Sequence, residues 1–345
     1  MHNLALQFDK EAYYSRQTIL AEIGNAGQER LRNAKVAVVG LGGLGSVSAL
    51  YLTLSGIGRL TLVDQDTVEI NNLHRQALYS FSDLRHAKVE VAARRLGELN
   101  PGISFESIAE NVNEENINSV LSDVDCIVDG LDNMYTRYML NRYSVENQVP
   151  YVFGGAIGLE GNVAVFKPPE TPCLECVLPD FDDTRLPTCD TRGVLGATTG
   201  IIGSLQALET IKLLVHVNQK IQSRLMIFDF VQSEFKTIDL QIRKDCPVCQ
   251  IRQRSSTAAR RLAWLCGSNT VNVNPEKPAP IDLEKVKRTL SNKHPVLLAT
   301  PVVLVFDYEG HEISLFKRGR MLIKNVNDEG EALQLYKEID AIVRS

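Results

Sequence analysis

Hydrophobic positions along this chain fall in short β-branched runs, each stopping at glycine or aspartate. Most are followed by a stretch with helical spacing. Lys35-Val36-Ala37-Val38-Val39 ends at Gly40, Arg59-Leu60-Thr61-Leu62-Val63 ends at Asp64, and Cys126-Ile127-Val128 ends at Asp129. Such runs read as strands buried on both faces of a parallel sheet. A helical lead-in is expected over 11–32. Further helices are expected from the glycine-rich turn at 40–45 through Leu54, over 88–99 where Asn100-Pro101-Gly102 stops the pattern, and over about 133–147. Strands are expected at 151–153, 162–166, 225–230 and 235–241, with a long apolar helix over 198–214. Strands alternating with helices predict an α/β fold, a Rossmann-like doubly wound sheet.

The texture changes after Ile251. Residues 252–261 are polar and basic, as a linker would be. A helix over 281–290, strands at 302–308, 312–316 and 321–326, a turn at Glu309-Gly310 and a closing amphipathic helix over 328–343 follow. The expected organisation is a nucleotide-handling domain at 1–254 and a small α/β C-terminal domain at 255–345. The second is small enough to need the first for stability.

With 345 residues and a net charge of −5, nucleic acid and anionic membranes are poor partners. No apolar run approaches a membrane span, and Met1-His2-Asn3-Leu4 does not begin a secretory signal. Seven cysteines is an odd count, which suits a reducing, cytoplasmic setting.

Four of those cysteines form two CxxC pairs, Cys173/Cys176 and Cys246/Cys249. Two such pairs, about 70 residues apart, can close one tetrahedral zinc site. Four ligands leave no open position, so the metal is expected to act as a staple rather than a catalyst. Of the remaining cysteines, Cys126 reads as core and Cys266 as packing.

Gly40-x-Gly42-x-x-Gly45 lies between a strand and a helix, with Asp64 at the end of the next strand. Backbone N–H groups there can approach a phosphate, and Asp64 can accept from ribose hydroxyls. Read by itself this suggests NAD. Arg75 in Asn71-Asn72-Leu73-His74-Arg75-Gln76, and then Lys88, place two cations just beyond Asp64. Hydride transfer has no use for them there, whereas a triphosphate must be neutralised before an anionic nucleophile approaches. Asp132-Asn133 adds polar groups at a later strand end, and Asp132 suits magnesium.

Taken together, Gly40–Gly45, Asp64, Asn71–Gln76, Lys88, Asp132-Asn133, the two cysteine pairs and the helix segment Gly203–Glu209 resemble the ThiF/MoeB/HesA family, relatives of ubiquitin-activating enzymes. The resemblance spans roughly residues 10–250 and is nearest to MoeB-type molybdopterin-synthase adenylyltransferases. It implies that ATP and Mg²⁺ adenylate the C-terminal Gly-Gly carboxylate of a small β-grasp protein, of the ubiquitin-like or sulfur-carrier kind, with release of pyrophosphate. It implies ATP contacts from Gly43, Asp64, Asn72, Arg75, Lys88 and Asp132, with Asn71 and Asn133 in the same set. Arg16 matches the arginine that reaches the partner subunit's site, implying a homodimer. Cys189 matches an acceptor cysteine, taking the acyl group as a thioester or joining in sulfur transfer; Asp190 stands where larger activating enzymes carry threonine. A conjugating enzyme or a separate sulfur donor would be a further partner. The competing readings are an NAD(P)-dependent oxidoreductase, which leaves Arg75, Lys88 and the cysteine pairs idle, and an inactive zinc-stapled scaffold. No cysteine-centred loop in 255–345 suggests an internal sulfur donor, and that segment reads equally as a docking module or a structural cap.

Overall fold

The β-branched runs form a sheet because each buries both faces under helices. The computed structural model describes residues 8–179, 181, 189–217, 220–251, 261–265, 269–291 and 293–344; the side chains of Cys189, Asp190 and Leu265 are not among the described parts. The lead-in is two helices rather than one: α1 (Lys10–Thr18) and α2 (Gly24–Asn33), separated by a break at 19–23, after which Gly24 takes a left-handed φ of 55°. Then come β1 (Lys35–Val39), α3 (Gly43–Ser55), β2 (Arg59–Val63), α4 (Lys88–Leu99), β3 (Ser104–Ile108), α5 (Ile117–Val120), β4 (Cys126–Asp129), α6 (Met134–Asn147), β5 (Tyr151–Ile157) and β6 (Glu160–Phe166). After these follow α7 (Leu174–Val177), α8 (Cys189–Arg192), α9 (Gly196–Val215), β7 (Arg224–Asp229) and β8 (Glu234–Asp239).

The strand order is β3-β2-β1-β4-β5-β6-β7-β8. The first five run parallel and the last three are added antiparallel. Chain direction across the sheet reverses between β1 and β4, and ligands of doubly wound sheets bind at that switch point beyond the carboxyl ends of the strands. β1, β2 and β4 are buried almost throughout. Cys126 sits within β4 at 0% exposure, and burial pushes its thiol up, as befits a core residue.

The C-terminal residues form a second sheet from β9 (Leu262–Leu265), β10 (Thr270–Val273), β11 (Val296–Ala299), β12 (Val303–Tyr308), β13 (His311–Phe316) and β14 (Met321–Lys324), with α10 (Leu283–Leu290) and α11 (Glu329–Arg344). The order is β11-β12-β13-β14-β10-β9, antiparallel throughout. The β12–β13 turn falls at Glu309-Gly310, both at left-handed φ. Alternate residues face opposite ways. Leu304, Phe306, Ile313 and Ile323 pack under the two helices with Val286 and Ile339. Val303, Val305, Phe316 and Leu322 join the core of the first sheet instead, beside Val68, Leu78 and Val89. The small sheet therefore buries both faces, one of them against the residues that link β2 to α4.

Candidate nucleotide site and cysteine cluster

The turn after β1 is shaped by close backbone approach. Gly40 takes φ 87°, and a Cβ there would stand 2.6 Å from the Gly130 carbonyl oxygen. A Cβ at Gly45 would stand 1.8 Å from the Gly40 oxygen, so no side chain fits where α3 crosses the turn. Gly43, the first residue of α3, abuts Thr199 of α9. The helix thus presents free N–H groups at the switch point.

Asp64, just past β2, is 8% exposed. Its Oδ2 accepts from the Leu41 N–H (2.6 Å) and its Oδ1 from the Asp66 N–H (2.8 Å). Burial raises the Asp64 carboxyl above its ordinary value, against the opposing charge of Lys88. Lys88 opens α4 and is 4% exposed. Its Nζ donates to Asp66 Oδ2 at 2.9 Å. Burial by itself would lower the ammonium, but Asp64, Asp66 and the hydrogen bond outweigh it and hold Lys88 above the ordinary lysine range. Asp66 is a site residue that sequence reasoning missed, since one more acidic residue in a loop carries no local signal.

The crossover between β2 and α4 carries Asn71, Asn72 and Arg75. Asn72 is buried and its Nδ2 donates to Asn71 Oδ1 (3.0 Å). Arg75 is half-buried and donates to the Asn71 carbonyl (2.5 Å), with the start of α9 packed on its backbone. Beyond β4, Asp132 is exposed at the rim and Asn133 caps α6, accepting from the Thr136 N–H at 2.9 Å. Beneath them Asp129 is fully buried, accepts from Tyr151 Oη (2.5 Å) and pairs with Arg137 (3.0 Å). Arg137 also donates to the carbonyls of Leu131 and Gly154. It is a second residue not picked out from sequence, although it stands four positions into the helix that Asn133 begins.

Gly43, Asp64, Asn72, Arg75, Lys88, Asp132 and Asn133 line one cavity of about 790 Å³. Asn71 is exposed beside it and is not among its lining residues. From Asp132 the cavity runs past Gly155, Ala156 and Gly161 to Phe228 and Lys236 on β7 and β8. Arg16, on α1, is exposed and does not line it. The Cys189 side chain lies outside the described residues, as does all of Cys266.

The four paired cysteines do converge. Cys173 lies 3.6 Å from Cys246 and 3.9 Å from Cys176, while Cys176 lies 3.4 Å from Cys249, sulfur to sulfur. All four ligand atoms lie within 4.8 Å of one another. Thiolates about 2.3 Å from a tetrahedral zinc ion stand roughly 3.8 Å apart, so the cluster could hold zinc. It joins the segment after β6 to the segment after β8, and Leu174 N–H donates to Asn141 Oδ1 of α6 at 2.8 Å.

The sequence profile of the ThiF family matches residues 14–248. The adenylyltransferase and sulfurtransferase MOCS3 of Culex quinquefasciatus is 43% identical over 240 residues, 69% of this chain and 55% of that one. The chain thus spans about half the length of that relative. The sulfur carrier protein adenylyltransferase of Thermus thermophilus is 38% identical over 242 residues, 68% of this chain and 89% of that one. A crystal structure of E. coli MccB with ATP aligns with a TM-score of 0.61 at 26% identity, over 69% of this chain and 74% of that one.

Proposed function

This chain belongs to the ThiF family, and from that premise we propose that it adenylates the C-terminal carboxylate of a small β-grasp protein ending in Gly-Gly, using ATP and releasing pyrophosphate. The observation that carries the reading is the convergence of Asp64, Arg75, Lys88 and Asp132 on one cavity at the sheet's switch point. A nicotinamide site would need Asp64 and the glycines but neither cation. The relative named a sulfur carrier protein adenylyltransferase supports the same direction.

In the proposed reaction a carboxylate oxygen attacks the α-phosphorus, the bond from that phosphorus to the α–β bridging oxygen breaks, and pyrophosphate leaves. No general base is required, because the attacking carboxylate is ionised at neutral pH. The difficulty is anion meeting anion. Lys88 and Arg75 would neutralise the phosphates, and N–H groups at the start of α3 would hold the anion. Asp132 supplies the hard oxygen donor that suits magnesium, and the ion when bound would neutralise further triphosphate charge. Gly155 and Gly161 line the cavity on the way to Phe228, and with no side chain at either position an extended tail could lie against bare backbone there. Holding that tail in line supplies the proximity term.

The organisation we propose is an adenylation domain at 1–254 with zinc on its four cysteines, followed by the appendage at 255–345. Transfer to Cys189, as thioester or in sulfur transfer, would be the second step, with a conjugating enzyme or separate sulfur donor taking the product. No described helix is long and apolar enough to cross a membrane, and a cytoplasmic setting suits the reduced cysteines.

ATP–pyrophosphate exchange tests the first step. Exchange should require both magnesium and a Gly-Gly partner, and should vanish in Asp132→Ala. ATP binding without exchange for any such partner would instead favour the inactive scaffold.

A homodimer is part of the proposal. Arg16 is exposed and away from its own cavity, and Tyr51 on α3 with Ile201 and Leu208 on α9 leaves exposed apolar side chains on two helices packed together. If Arg16 acts across the dimer, mixing inactive Arg16→Ala and Asp132→Ala chains should restore exchange, because one site in each mixed dimer is complete. No recovery in a mixture shown to exchange subunits would place Arg16 outside the reaction.

A further inference from the structure

Arg320 lies in the turn between β13 and β14 of the C-terminal sheet and is buried, 4% exposed; it does not itself line the nucleotide cavity but stands behind segments that do. A tight β13–β14 hairpin, with Gly319 at φ 89°, turns it inward. The guanidinium lies over the Phe316 ring, 3.7 Å from its centroid, and Nη1 donates to Asn272 Oδ1 at 2.9 Å. Nη2 donates to two backbone carbonyls of the other sheet, Gln65 at 2.7 Å and Ala109 at 3.1 Å.

Those carbonyls occupy particular places. Gln65 directly follows Asp64, and Ala109 directly follows β3, whose last residue, Ile108, accepts from the Asp64 N–H. One cation thus ties together the two segments that leave β2 and β3 at the carboxyl edge. Both segments wall the cavity, Gln65 and Asp66 on one side, Glu110, Asn111 and Val112 on the other. Burial pushes the Arg320 guanidinium down to about 10, against the charges of Asp66, Glu110 and Asp64, so it stays charged at neutral pH. An apolar side chain of similar volume would leave those two carbonyls without a donor. A planar fork with several fixed donors does something such a side chain does not, which is to hold two carbonyls at a set separation.

We propose that Arg320 is a positioning residue for the nucleoside half of the nucleotide: by bridging the ends of β2 and β3 it presets the slot beside Asp64, and the C-terminal sheet thereby acts as a brace of the nucleotide site. This rests on the ATP reading above. It assigns the appendage a role distinct from partner docking, and narrower than general stabilisation.

Binding to the full chain tests it without catalysis. In Arg320→Met, loss of a charged donor to two buried carbonyls should weaken ATP and AMP about tenfold or more. Tripolyphosphate, which meets Arg75 and Lys88 but no ribose slot, should change by less than about twofold. Arg320→Lys, which keeps the charge and loses the fork, should show a smaller loss with the same selectivity, and it serves if the methionine variant does not fold. Thr300→Val, which removes the 2.9 Å bond to Glu90 and the hydroxyl that accepts from the Val302 and Val303 N–H groups elsewhere in the same interface, should leave all three ligands unchanged. Parallel weakening of ATP and tripolyphosphate would make Arg320 merely structural, and unchanged ATP affinity in a folded variant would likewise overturn the proposal. Wild-type protein that binds ATP yet exchanges no pyrophosphate would sink the adenylation reading and leave the Arg320 comparison decisive; failure to bind ATP at all would sink both.

Discussion

Replacing Lys88 by methionine is expected to cut partner-dependent pyrophosphate exchange by about 10²–10³-fold or more, the usual cost of removing one preorganised group that stabilises transition-state charge. Methionine keeps the stem's volume and removes the ammonium. Lys88 is almost wholly buried and fixed to Asp66 at 2.9 Å, so it needs no reorganisation when the phosphates arrive. It also offsets Asp64 and Asp66, which would otherwise repel a triphosphate from the same cavity. Its loss therefore changes the local charge in the direction least favourable to ATP.

The variant should also be less stable. Breaking a buried pair costs about 3–5 kcal/mol, and the lower end applies because Asp66 keeps 31% of its side chain exposed. The pH dependence follows from the direction of the Lys88 shift. Its folded value is raised above the unfolded one, so the pair contributes in full below the ordinary lysine value. That contribution is lost as pH climbs through the raised one. Neutral-pH assays thus see Lys88 fully charged. Exchange kinetics alongside denaturant unfolding separate the two effects; exchange within tenfold of wild type would mean that the triphosphate is neutralised elsewhere.

The second large effect is expected at the cysteine cluster. Chelation under reducing conditions, or Cys246→Ser, should lower the melting temperature by at least about 10 °C. That follows from apparent binding energies of roughly 10–16 kcal/mol for structural zinc and about 2–4 °C of melting shift per kcal/mol in chains of this order of size. The effect is large because residues 241–251 are mostly exposed and are buried only at Cys246 and Val248. Cys173, Cys246 and Val248 form a small buried cluster with Val145, Cys176 and Cys249 at its margin. Without a metal, thiols are packed against thiols, and the segments after β6 and β8 lose their common anchor. Metal analysis should find zinc equimolar with chain in wild type and depleted in the variant. A melting temperature unmoved by chelation that demonstrably leaves the protein metal-free would refute the staple.

Much of the architecture was legible along the chain, and the exceptions have identifiable causes. β3, Ser-Phe-Glu-Ser-Ile, escaped because it lies at the sheet edge, paired with β2 and half exposed. A polar strand in that position needs no continuous apolar run. β9 and β11 are likewise edge strands, whereas β10, Thr-Val-Asn-Val, escaped because it is only four residues long and polar at alternate positions, although it lies inside its sheet and is buried. The 11–32 lead-in has helical spacing on both sides of a break at 19–23, after which Gly24, at left-handed φ, opens the second helix. Asp66 and Arg137 acquire meaning from their neighbours, Lys88 and Asp129, which their own segments do not announce.

What the sequence by itself determined was whatever depends on local chemistry: glycines at the spacing where a turn must meet a helix, β-branched runs that end at Asp64 and Asp129, and cysteine pairs spaced for one metal. Those signals are short-range, because backbone sterics and side-chain chelation act over a few residues. The tertiary structure decided what depends on long closures. It brought Asp64, Arg75, Lys88 and Asp132 around one cavity, and it left Arg16 outside that cavity on the surface. It also laid one face of the C-terminal sheet on the β2–α4 crossover and set Arg320 against the Gln65 carbonyl, 255 positions away. A contact of that span leaves no periodicity to read. It exists because a buried guanidinium must find acceptors, and the ends of β2 and β3 are where the folded chain offers them.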